Sequence, residues 1–373
     1  MVEAGGRLFV DITHDMKSPL GRKILRKKVA MMDPEMHASL EIVMADKSYL
    51  KSIPKGKGSF GASAYNLRGM LLEALRIYRS NNTGIIDKYT VRQKASVARL
   101  RDKLKSKRGL DLIREIKEDQ RQLSETLYDT IGYGLILVSQ YVIQRIDRVG
   151  KRVMGENHIS NRLSKAVDHN VTTNMGLALS EIADIVRQHP AVINFLKTCK
   201  DDFSPNDLLT LEGGKQVAEA LNGFLEEYGM RAPGEIDITK PRFRERPIQL
   251  VSSLLSQVEQ LPQGHAQTAF EQAKQNTQIE MDSFEARTQE VLGNRAAKKL
   301  RLWLSVFRHF VGTREYPKFF WISRYDVYKQ GIMTVAQDLV EQGILKNPDD
   351  IFYFYLEELE RVITHGEADE EEI

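Results

Sequence analysis

The stretch Asp111–Ile146, DLIREIKEDQRQLSETLYDTIGYGLILVSQYVIQRI, decides the fold class of this chain. It is free of proline and reads as one long helix, with a bend expected at Gly132 and Gly134. Its second half carries an apolar face and then turns charged at Arg145, Asp147 and Arg148. The apolar run Ile131–Ile143 is interrupted by Gly, Ser and Gln. It falls short of the about 20 apolar residues that span a bilayer, so a buried core helix is expected rather than a membrane segment.

The same texture extends outward. Only 11 prolines occur in 373 residues, and Leu, Ala, Glu, Lys, Arg and Gln fill the long stretches between them. Helices are expected over Leu67–Tyr78, Thr90–Lys107, Asn174–Arg187, Gly214–Tyr228 and Ile248–Glu259, around Gln267–Phe310, and, after Pro317, within the aromatic-rich Tyr316–Glu341. Met230–Pro247 breaks the pattern with three prolines and many charges, and reads as an ordered loop. Ile351–Tyr355 is a short apolar run that suits a strand or a buried turn. The fold class is mostly α, a multi-helix domain with long amphipathic helices and few short strands. The expected organisation is an N-terminal segment over 1–50, a flexible Gly/Lys/Ser linker over 51–66, a helical domain over 67–365 and an acidic tail over 366–373.

Composition excludes several function classes. Lys and Arg number 54 against 51 Asp and Glu, a net charge of +3, which does not announce nucleic acid as a partner. The single cysteine, Cys199, can build neither a disulfide nor a thiolate metal cluster, and a buried inert thiol is expected. None of the eight histidines falls in a metal-binding spacing, so no metal is assigned. Lys55–Gly61, KGKGSFG, has glycines and lysines but not the Gly-Lys-Ser/Thr order of a phosphate loop. With no signal-like apolar segment among the first 28 residues, the expected address is the cytoplasm, with no membrane partner.

Two segments concentrate chemistry. Tyr228–Pro247, YGMRAPGEIDITKPRFRERP, sets Arg231, Lys240, Arg242, Arg244 and Arg246 against Glu235, Asp237 and Glu245. Arginines held in a rigid loop suit a phosphate or a carboxylate; they equally suit an ion-pair network that ties helices together. Arg308–Lys329, RHFVGTREYPKFFWISRYDVYK, places Arg314 and Lys318 four apart before Phe319, Phe320 and Trp321. On a helix the two cations share a face, with Pro317 confined to the first turn. They could hold an anion beside an apolar surface, or simply flank a core-facing aromatic helix.

The same segments carry a resemblance. YGMRAPGEIDITKPRF and GTREYPKFF are similar to motifs of the rifampin phosphotransferase and phosphoenolpyruvate synthase family, in its substrate-binding region. GRLFVDIT at Gly6–Thr13, NVTTNMGLAL at Asn170–Leu179 and NPDDIFYFYLEEL at Asn347–Leu359 follow in the family's order. Met230 and Ala232 stand where that pattern has His and Gly. The resemblance implies a largely helical domain that receives a small-molecule acceptor, a phosphotransferase (kinase) chemistry and, for rifampin, antibiotic resistance. It implies Arg314 and Lys318 as the catalytic pair nearest the transferred phosphoryl group, with Arg231, Glu235, Arg242 and Phe319 binding substrate.

The family's ATP-grasp region and its Gly-rich phosphohistidine motif have no counterpart in these residues. ATP and magnesium are therefore implied only for separate ATP-grasp and phosphohistidine domain polypeptides as partners, and the chain is expected to be truncated and inactive alone. The alternative is a non-catalytic helical binding protein that sequesters an amphiphilic ligand, and a purely structural helical protein is a third possibility.

Overall fold

The computed structural model describes residues 2–4, 7–9, 12, 16, 19–32, 34–53, 60–127 and 129–366. The chain divides into two compact units, Met1–Gly69 and Met70–Ile373. The first holds an antiparallel hairpin of β1 (Val2–Ala4) and β2 (Arg7–Phe9), in which Val2 faces Phe9. Helices α1 (Pro19–Met32), α2 (Pro34–Ala45) and α3 (Lys47–Ser52) follow. Their small core gathers Leu25, Val29, Leu40 and Met44, and Asp46 caps α3 by accepting from the backbone N–H groups of Ser48 and Tyr49 at 2.8 and 3.0 Å.

Helix α4 (Phe60–Ser80) carries the unit boundary at 69/70. Of the linker expected over 51–66, residues 54–59 lie outside the described residues, and the flanking described residues are mostly helical. The tail beyond Gly366 also lies outside them.

The second unit continues with α5 (Gly84–Lys105), α6 (Gly109–Leu127), α7 (Thr130–Val153), α8 (Ile159–Leu163), α9 (Val171–Val186), α10 (Pro190–Leu196) and α11 (Gly214–Tyr228). After the loop come α12 (Ile248–Gln260), α13 (His265–Leu292), α14 (Asn294–Phe310), α15 (Tyr316–Glu341) and α16 (Leu356–His365). Short 3₁₀ turns occupy Pro205–Thr210, Val311–Glu315 and Pro348–Tyr353. The last of these resolves the Ile351–Tyr355 ambiguity in favour of a turn, with Ile351 buried.

The deciding stretch is two helices rather than one. Asp129 takes an extended backbone between α6 and α7 and accepts from the Gly132 N–H at 2.8 Å, a helix N-cap. The carbonyls left at the end of α6 are taken by α5: Tyr89 Oη donates to Leu127 O and Gln93 Nε2 to Thr126 O, both at 2.8 Å. The expected bend at Gly132 and Gly134 is therefore corrected. These glycines lie inside α7 and serve close packing. A Cβ on Gly134 would stand 2.9 Å from Ile77 Cδ1 and 3.4 Å from the Ala74 backbone nitrogen of α4.

Three apolar clusters fill this unit. The first joins α7, α13 and α14 around Val142, Ile146, Leu300, Phe307 and Phe310. The second joins α5, α6, α16 and the later part of α15, and the third joins α9, α11 and α12. Helix α15, about 39 Å long at 1.5 Å per residue, enters the first cluster through Phe319, Phe320 and Ile322 and the second through Val327, Tyr328, Ile332 and Leu339. A helix buried around much of its circumference keeps little amphipathic contrast. Its charged residues Arg324, Asp326 and Lys329 are buried with it. Among the described residues no helix is long and apolar enough to cross a membrane.

Candidate functional site

Helix α11 ends at Tyr228, and Met230–Pro247 folds back on itself. Phe243 N–H donates to Arg231 O and Arg244 N–H to Gly229 O, both at 2.9 Å, closing the neck of the loop. At its tip Gly234 has φ +70°, the left-handed conformation that glycine tolerates, and Thr239 N–H bonds the Asp237 carboxylate at 2.9 Å.

Inside the loop lies Arg242, with no exposed surface. Its guanidinium donates to Glu235 O at 2.7 Å and to Asp237 O at 3.3 Å, and its backbone N–H to the Glu245 carboxylate at 2.9 Å. Burial pushes its pKa down, and the charges of Asp326, Glu245, Glu235 and Asp237 oppose that. Lys329 of α15 donates to Lys240 O at 3.0 Å and to Glu245 at 2.7 Å. The loop thus has a polar core in place of an apolar one, and Arg242 holds its shape from within instead of offering a surface to a ligand.

On the outer side, Glu235 joins the two segments singled out in the sequence. Its carboxylate accepts from Arg231 Nε at 2.5 Å and from Lys318 Nζ at 2.9 Å. Glu235 and Arg231 are largely buried, whereas the Lys318 side chain is 51% exposed. The Arg231 guanidinium lies 6.0 Å from the centre of the Phe319 ring, a cation–π contact. Phe319 is itself buried, edge-on to Phe320 at 5.2 Å and near Tyr228 at 6.4 Å.

Burial pushes the Glu235 carboxyl up, but the Lys318 hydrogen bond and the Arg231 charge outweigh it and hold the pKa below 4.5. A depressed carboxylate stabilises the fold above its unfolded pKa, and that stability disappears as pH falls through the folded value. The loop is therefore expected to loosen in acid, below pH 4.5. Glu235→Gln should flatten that part of the stability–pH profile; a profile identical to the parent's would refute the assignment.

Pro317 sits in the first turn of α15, which lets Lys318 lie on the helix while Arg314 stays in the preceding 3₁₀ turn. The Arg314 side chain is exposed and makes no hydrogen bond or ion pair with another described residue. Its neighbour Glu315 accepts from the Thr172 hydroxyl at the start of α9, joining the Asn170–Leu179 stretch to this turn. Gly312 makes that approach possible, since a Cβ there would stand 2.2 Å from Asp168 O. Gly312→Ala is expected to cost about 1–3 kcal/mol by overpacking. Denaturant melts would read the loss, and an unchanged midpoint would show that the turn can yield.

The structure therefore brings Lys318, Glu235, Arg231 and Phe319 together, with Arg242 behind them. The sequence reading missed Thr172, Asp326, Lys329 and the Arg324–Asp119 pair. Charged residues on the buried faces of α15 are the one local signal that pointed to the middle two. Among the described residues no cluster of His, Cys, Asp and Glu could hold a metal ion. Cys199 is half-buried; burial raises its pKa, and its Sγ–H points to Leu196 O.

A profile of the rifampicin phosphotransferase fourth domain matches residues 133–315. Rifampicin phosphotransferases from Bacillus subtilis and Streptomyces sviceus are each 33% identical, over 98% and 99% of the chain. The one from Bacillus cereus is 30% identical over 99%. The chain spans 42% of the length of each of these relatives.

Proposed function

We propose that the chain, which matches a partial region of rifampicin phosphotransferases along almost its whole length, is a member of that family and the acceptor-binding portion of an ATP-dependent phosphotransferase. A rifamycin or another small hydroxyl-bearing molecule would be the acceptor. The observation that carries this reading is the junction of the two basic segments at Glu235, which fixes Lys318 at the surface, four residues after the unpaired side chain of Arg314.

Phosphoryl transfer spreads negative charge over the equatorial oxygens, and fixed cations stabilise that charge without reorganising. Lys318, oriented by Glu235, and Arg314, with no carboxylate of its own, would meet that charge. Arg231 supports Glu235 from behind. These 373 residues show neither an ATP-grasp region nor a Gly-rich phosphohistidine motif. In this reading those functions come from ATP-grasp and phosphohistidine domains, which would use ATP and magnesium. A cytoplasmic address, where ATP is available, belongs to the same reading.

Calorimetric titration of the folded chain with rifampicin tests acceptor binding: saturable heat supports it, and no heat from folded protein counts against it. The chain by itself is expected to form no AMP from ATP, and AMP formation by the pure chain would overturn that part. Saturable binding with no transfer when both domains are supplied would instead favour a non-catalytic protein that sequesters its ligand.

A further inference from the structure

Helices α7 and α14 carry a charge asymmetry that the near-neutral net charge of the chain conceals. Lys and Arg number four in α7 and five in α14, and the one carboxylate in the two helices is Asp147. Asp147 is turned to α8, where it accepts from Ser160 N–H at 2.9 Å and lies 3.9 Å from His158. Neighbouring acidic groups are engaged as well. Glu156, after α7, meets Arg162 at 3.3 Å, and Glu280 of α13 meets the same arginine at 3.1 Å. Further along α13, Glu285 and Glu290 accept from Arg301 and Arg287, both at 2.9 Å, and Asp282 accepts from Gln278 at 2.8 Å. Glu73 of α4 lies 3.9 Å from Arg76. Arg308 is held by three backbone carbonyls between Leu163 and Ala166. Apart from Arg301 and Arg308, the cations of α7 and α14 make no hydrogen bond or ion pair with any described residue.

Tyr141, Arg145, Arg148 and Arg152 recur at steps of four, three and four residues, so they form one stripe along α7. Tyr141, Arg148 and Arg152 are exposed. The Arg145 guanidinium lies 5.1 Å from the centre of the Tyr141 ring and 5.8 Å from that of Trp303 on α14. Tyr78 of α4 braces Tyr141 edge-on, with the rings 5.6 Å apart. Exposed Lys299, one turn before Trp303, extends the basic surface onto α14. Because Arg145 covers a face of each ring, the rings fix a guanidinium rather than offer platforms for bases, and its N–H edges are left for an acceptor. Trp, Tyr and Arg are also the residues that dominate contacts between proteins. From Arg145 to Arg148 to Arg152 the helix rises about 4.5 and 6 Å, the same rises that separate glutamates three and four residues apart on another helix. We propose that this face docks an acidic α-helix of a protein partner. The helix lies along α7, and its carboxylates, at three- and four-residue steps, meet Arg145, Arg148 and Arg152. The surface shares no residue with the Lys318 site and does not rest on the phosphoryl-acceptor reading.

The test is an anisotropy titration of the chain into a fluorescein-labelled, alanine-rich helical peptide with glutamates at i, i+3 and i+7. It is run at low ionic strength, where the screening length is about 20 Å. The peptide should bind saturably and lose about tenfold or more in affinity at high salt. The same peptide with glutamines should bind about tenfold or more weakly. Replacing both Arg148→Ala and Arg152→Ala should weaken the glutamate peptide by about tenfold or more. The thermal midpoint should stay unchanged, since neither side chain has a partner to lose. Arg148→Glu with Arg152→Glu should shift the preference to a lysine peptide of the same spacing. Equal affinity for the glutamate and glutamine peptides, binding unaltered in the double alanine variant, or no binding on the order of 1 mM peptide would overturn the proposal. So would tighter binding of poly(U) or of phosphatidylserine vesicles through the same arginines, which would assign the face to nucleic acid or to a membrane surface.

Discussion

Asp119→Ala is expected to destabilise the protein by about 3–5 kcal/mol, the cost of leaving a buried charge without its partner. Asp119 of α6 accepts from Nη2 and Nε of Arg324 at 2.6 and 3.0 Å and from the Tyr328 hydroxyl of α15, while Nη1 of Arg324 donates to Ser96 Oγ at 3.0 Å. Arg324 is 3% exposed, so water cannot replace the lost carboxylate without opening the α6–α15 contact. Burial and the Asp119 hydrogen bond push the Tyr328 phenol above its ordinary range, so it stays protonated and donates. Denaturant unfolding of the single variant, of Arg324→Met and of the double variant closes a cycle. The double variant should recover much of the loss, because an apolar pair of similar volume often matches a buried ion pair. A loss within about 0.5 kcal/mol for Asp119→Ala, the range of ordinary surface changes, would show that the pair is solvated in solution.

Lys318→Met acts on function instead. Its ammonium is half-exposed and Glu235 keeps Arg231 as a partner, so stability should shift by less than about 1 kcal/mol. Phosphoryl transfer, assayed with ATP-grasp and phosphohistidine domains supplied, should fall about 10²–10³-fold, the range for removing one transition-state donor. Rifampicin affinity should change much less, because the charge that Lys318 meets is greatest in the transition state. Equal losses in affinity and rate would assign Lys318 to acceptor binding alone. Unchanged transfer would remove it from the site.

Much of the fold was legible because it is local. Gly214–Tyr228 has the same bounds in sequence and structure, and the helix expected after Pro317 begins at Tyr316 with the proline in its first turn; each is marked by a glycine or proline at an end. Met230–Pro247 read as an ordered loop because its prolines forbid a helix. The break in Asp111–Ile146 was misplaced because glycine has two uses. It can bend a helix, or it can let a neighbouring backbone approach, and α4 beside Gly134 decides for the second.

The candidate site divides along the same line. Its residue types, their order and the four-residue step from Arg314 to Lys318 are properties of the sequence, as is the resemblance that suggested them. That Glu235 joins Arg231 to Lys318 could not be read there, nor that Arg242 has no surface left to offer. The Arg324–Asp119 pair spans 205 residues, and no local periodicity carries a signal over that separation. Helical periodicity and turn chemistry act over a few residues, so the sequence by itself determined the helices, the loop and their order. Which charges meet, and which are left without a partner, depends on distances that exist only once the helices have packed; that was decided by the tertiary structure.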